Sequence, residues 1–100
     1  MKVELYYFDG CPTYKKTAKN LTEALEELNL NERIDMVEVL NQDDAEKKKF
    51  LGSPTIKING TDLENKQGTY VFGCRIYSIQ GTISGTPTKK YISEKLKSFF

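Results

Sequence analysis

The chain contains no histidine and no tryptophan, only two cysteines and three prolines, and almost no net charge. Each shortage removes a class of function. Without histidine the usual zinc arrangements and any histidine general base are gone. Fifteen Lys and Arg against fourteen Asp and Glu leave +1, too little for the broad field that holds a nucleic-acid backbone or an acidic membrane surface. No apolar run approaches the roughly 18 residues of a membrane span. The start, Met1-Lys2-Val3-Glu4, has an early acid and no long apolar stretch, unlike a secretory signal. A cytoplasmic location with no nucleic-acid or membrane partner is therefore expected, and two cysteines in such a setting point to reduced thiols.

What is present suffices for one modest core. Leu, Ile, Val and Phe number 25 in 100 residues, above the disordered range of under about 20%. The length predicts a single domain over 1–100. Residues 2–8 alternate and read as a strand ended by Asp9-Gly10. Tyr14, Ala18, Leu21, Leu25 and Leu28 recur at three and four residues, predicting an amphipathic helix over 12–28 with Pro12 in its first turn. Residues 33–40 read as a strand covered on both faces, as in a parallel sheet. Asp43 and Asp44 cap a short helix to Phe50, with Gly52 as its stop. A strand spans 55–59, and a polar surface insertion spans 61–73. Residues 70–79 are β-rich, Gly81 and Gly85 mark a loop, and Thr86-Pro87 opens a final helix with Ile92, Leu96 and Phe99 on one side. The order β-α-β-α-β-β-α predicts an α/β fold: a mixed four-stranded sheet with helices on both faces.

The chemistry concentrates in Phe8-Asp9-Gly10-Cys11-Pro12-Thr13-Tyr14. Cys11 falls where a strand passes into a helix, and the unpaired N–H groups of a first helical turn favour an anion. A thiolate is one, and cysteines so placed have depressed pKa values. Lys15, Lys16 and Lys19 lie in the first turns of that helix and Glu23, Glu26 and Glu27 later, the reverse of what the helix dipole prefers. Two readings of this inversion stand: the cations favour the thiolate, or they are solvated surface.

Cys-Pro at a strand–helix junction, followed some forty residues later by Gly52-Ser53-Pro54-Thr55 opening a strand, resembles the thioredoxin/glutaredoxin superfamily over most of the chain. The later Asn59-Gly60 and Gly73-Cys74-Arg75-Ile76-Tyr77 resemble small bacterial and archaeal thioredoxin-like proteins, some labelled alkylmercury lyase-like. The resemblance implies a thioredoxin-like fold, Cys11 as nucleophile, and a cis-proline at Pro54 shaping the site. It also implies that backbone beside that proline pairs with an extended substrate or a glutathione moiety. Pro12, Thr13, Tyr14, Ser53, Pro54 and Thr55 would then contact substrate, with Thr13 and Thr55 supplying backbone donors. Where the dithiol members have their second cysteine, this chain has Tyr14. What survives is monothiol, glutaredoxin-like redox or thiol-adduct chemistry with a small thiol or protein disulfide as substrate, and glutathione is the cofactor it suggests.

Cys74 admits several roles. Residues 55–59 run about 16 Å at ~3.3 Å each, so a returning strand that begins near Cys74 starts far from Cys11, and a disulfide needs Cα atoms within roughly 7 Å. That favours a small core residue. The stretch 61–73 is long enough to carry the chain back, and Cys74 is then a resolving thiol or, with Cys11, a ligand for a soft metal or organomercurial. A non-catalytic thioredoxin-like binding module is the remaining alternative. Arg75 and Tyr77 share one face, with Arg75 expected to pair with an acidic surface group. Tyr14 either donates its hydroxyl to the Cys11 sulfur or packs in the helix stripe.

Overall fold

The computed structural model describes residues 1–99; the predicted domain range runs one residue further, to Phe100, which lies outside the described residues. Strand β1 is Val3–Tyr7, followed by helix α1 (Tyr14–Glu27), strand β2 (Ile34–Glu38) and the short helix α2 (Gln42–Lys47). Strands β3 (Thr55–Ile58) and β4 (Thr61–Asp62), strands β5 (Tyr77–Ile79) and β6 (Thr82–Ser84), and helix α3 (Lys89–Lys97) complete it. The main sheet runs β2-β1-β3-β4. Strand β1 is parallel to β2 and antiparallel to β3, and β4 is antiparallel to β3. The fold is thus α/β with a mixed four-stranded sheet and three helices.

Alternation along β1 divides the interior. Val3 and Leu5 face one side, where Leu21, Ala24 and Leu25 of α1 meet Ile92 and Leu96 of α3. Tyr6 faces the other, against Val39, Ala45 and Phe50 around α2. Helices therefore cover both faces, as expected from alternating apolar positions on a strand.

Several expectations need correction. Strand β2 is an outer strand, and Met36 and Leu40 are exposed, so the apolar run 33–40 is not covered on both faces. Asn41, not Asp43 or Asp44, caps α2 by accepting from the Asp44 N–H, while the Asp44 carboxylate accepts from the Leu40 N–H. Helix α2 ends before Gly52, with Lys49 already at φ 55°. Residues 61–62, expected in the insertion, form β4 immediately after the Asn59-Gly60 turn. Both turn residues have positive φ, the conformation that Asn-Gly favours in a two-residue hairpin. The fourth strand of the sheet is therefore β4, and 70–79 instead yields an extended strap and then β5, which pairs only with β6. Gly81, predicted in a loop, is the turn of that hairpin. Helix α1 begins at Tyr14, two residues beyond Pro12, and α3 is capped by the Thr88 hydroxyl, which accepts from the Tyr91 N–H.

Candidate functional site

Cys11 lies between β1 and α1, and its N–H donates to the Phe8 carbonyl at 3.0 Å. It is 5% exposed, and its sulfur is outside both hydrophobic clusters. Thr13 is the residue at the start of α1, yet its hydroxyl caps nothing. It sits 3.4 Å from the Cys11 Sγ instead. No acidic side chain occupies the first turn of α1, so nothing else there competes for its positive end.

The second wall comes from the Gly52–Thr55 loop, with a cis peptide between Ser53 and Pro54. Ser53 is 1% exposed, and its Oγ has no hydrogen-bond partner. It is among the groups that lower the Cys11 pKa, and the β1–β3 register, with Tyr6 opposite Thr55, brings its loop to the end of β1 from which Cys11 follows. Burial pushes the Cys11 thiol up, but the Ser53 and Thr13 hydroxyls and the backbone N–H groups of Thr13 and Tyr14 outweigh it, leaving the pKa below that of an ordinary thiol. Lys15, Lys16 and Lys19 are exposed and are not among the main causes of this shift. The Tyr14 ring stacks on Tyr7 at 4.3 Å between centroids, so Tyr14 reaches the sulfur through its backbone and not its hydroxyl.

Thr55 is not turned to the sulfur. Its hydroxyl donates to the Gly52 carbonyl and accepts from Arg75 Nη1 at 3.3 Å. Pro54 is buried and its carbonyl accepts from the Tyr77 hydroxyl at 2.6 Å. Pro12 is exposed.

Sequence reasoning missed what covers this loop. Residues 70–75 form a strap along 50–53. Val71 donates to the Phe50 carbonyl at 2.9 Å, and the Gln42 amide holds Tyr70 O and Phe72 N. Ser53 then donates to Gly73 O at 2.7 Å and accepts from Arg75 N at 2.9 Å. The backbone expected to pair with an extended substrate is thus taken by the chain's own strap. Gly52, at φ 105°, permits the close approach: a Cβ there would lie 3.0 Å from the Arg75 Cβ.

Arg75 anchors the strap. Its guanidinium binds the Asp62 carboxylate at 2.6 and 3.0 Å and Glu64 at 2.7 Å, and it lies over the Tyr77 ring at 4.8 Å. The predicted ion pair forms, but with a buried partner, Asp62, in place of a surface one. Phe72 packs on Phe8 at 5.0 Å beside the site. Cys74 is exposed and free, not a core residue, and it is the bridge partner of Ser53. The stretch 61–73 does carry the chain back to the Pro54 end.

Among the described residues no group of three or more Cys, Asp or Glu side chains is placed to hold a metal ion, and no helix is long and apolar enough to cross a membrane. A groove of about 650 Å³ lies between the β5–β6 hairpin and α3, and Cys11 is not among its walls. No protein-family model, curated protein or solved structure matches the chain.

Proposed function

We propose that this is a thioredoxin-like domain that performs monothiol chemistry at Cys11, as a thiol redox or thiol-adduct protein. The sheet order, with its parallel β1–β2 pair and antiparallel β3 and β4, supports that reading of the fold. The observation that carries the function is one sulfur held just ahead of α1 and 3.4 Å from the Thr13 hydroxyl, where hydroxyl and backbone N–H donors favour the anion against the cost of burial. An orphaned buried hydroxyl costs about 1–3 kcal/mol, and a thiolate at Cys11 is a stronger acceptor for Ser53 Oγ than a thiol.

The reaction is attack by the Cys11 thiolate on one sulfur of a disulfide. That S–S bond breaks, a mixed disulfide forms at Cys11, and the other half leaves as thiolate. Because Ser53's backbone is already paired within the chain, the substrate best suited to the niche is a small thiol in disulfide form, such as oxidised glutathione. The test is the alkylation rate of Cys11 against pH, followed in a Cys74→Ser background. The expected profile has its midpoint below the value of about 8.5 for free cysteine. A midpoint at that value, with no acceleration over free cysteine, favours the non-catalytic binding module instead.

A further inference from the structure

Both cysteines flank one buried serine. The β1–β3 register, with Tyr6 opposite Thr55, brings the Ser53–Pro54 loop to the Tyr7–Phe8 end of β1, where the Phe8 carbonyl accepts from the Cys11 N–H, and the Ser53 backbone is bridged to Cys74 through hydrogen bonds to Gly73 and Arg75. Bridge partners on adjacent strands lie about 4.8 Å apart. Cys74 is therefore held beside the Ser53–Pro54 loop. On its far side Arg75 is fixed by two carboxylates. Cys74 itself lines an open groove of about 300 Å³ with Leu51, Val71 and Ile76, where a thiol is neither packed nor bonded.

We propose that Cys74 is the resolving thiol for adducts formed at Cys11. This rests on the reading of Cys11 as the nucleophile. After a small disulfide has left one half on Cys11, the Cys74 thiolate turns from its groove and attacks the Cys11 sulfur. The Cys11–adduct S–S bond breaks, the adduct leaves as a thiolate carrying the electron pair, and a Cys11–Cys74 disulfide forms. The Cys74 proton passes to solvent. Overall, one small disulfide is reduced to two thiols and the two cysteines are oxidised. A thiol tethered this closely acts at a high effective concentration, so resolution outruns attack by free thiol in solution. The protein then works as a two-cysteine reductant whose second sulfur comes from a strap and not from the first helix.

The experiment incubates the full chain with oxidised glutathione and follows intact mass without reductant, for the wild type, Cys74→Ser and Cys11→Ser. Cys74→Ser is expected to accumulate one glutathionyl group, mapped to Cys11. The wild type is expected to pass through that adduct to a monomer lacking two hydrogens, at a rate independent of protein concentration. A wild type that keeps its adduct as the variant does, or that yields disulfide-linked dimers, overturns the role of Cys74 and leaves Cys11 as a monothiol site. If neither the wild type nor Cys74→Ser takes up glutathione at Cys11, the reading of Cys11 fails and this proposal fails with it. Cys74 is exposed, so its serine variant should keep the wild-type circular dichroism spectrum; should it not, Cys74→Ala and peptide mapping of the wild type alone give the same decision.

Discussion

Thr13 stands at the head of a helix without capping it, and Ser53 buries a hydroxyl that bonds nothing. Both make sense as groups aimed at sulfur. Ser53→Ala and Thr13→Val should each raise the Cys11 pKa toward the ordinary thiol range, whereas neutralising Lys15, Lys16 and Lys19 together should leave it unchanged; thiolate absorbance against pH reads all three. Gly52 answers a different need, because its positive φ and its contact with the Arg75 backbone leave no room for a side chain. Gly52→Ala should cost about 1–3 kcal/mol, measured as a lower urea midpoint with unchanged slope. Cys11 was readable because a strand followed by Cys-Pro and a periodic helix fixes where the sulfur sits. The Ser53 hydroxyl was reachable only through the family resemblance, since nothing local marks a serine as facing a residue 42 positions earlier.

At the scale of elements, periodicity located β1, α1, β2 and β3 to within a few residues. It failed where pairing is short or distant. Strand β4 has two residues, too few to show alternation, and its sequence Thr-Asp reads as polar loop. The strap has the composition of a strand, yet its partners are Phe50 and Ser53, which lie outside any hairpin pattern. The burial of Arg75 was equally hidden, because an arginine two positions from a tyrosine looks the same on a wet face as on a dry one. Breaking a buried ion pair by removing one partner costs about 3–5 kcal/mol. Arg75→Met should lose that much and release the strap first. Hydrogen exchange at the amides of Ser53 and residue 75 should quicken well before that of β1 and β3.

For the molecule as a whole, the Arg75 cluster sets the response to acid. Burial raises the Asp62 carboxyl, but Arg75, with the N–H groups of Lys66 and Glu64, holds it below the usual carboxylate range. A carboxyl whose folded pKa lies below its unfolded value of about 3.9 contributes its full stability above that value. The contribution is lost as pH falls through the folded pKa. Unfolding by urea should therefore become easier as pH drops below about 4, and Asp62→Asn should flatten that slope even though it lowers stability at neutral pH.

The path from Ser53 out through the β3–β4 hairpin and back along the strap leaves and rejoins the chain at one serine, with Gly73 and Arg75 bonded to its two backbone groups. The ring so formed is clasped by main-chain bonds alone, so exchanging the serine's side chain, as in Ser53→Ala, takes away the hydroxyl and leaves the clasp closed.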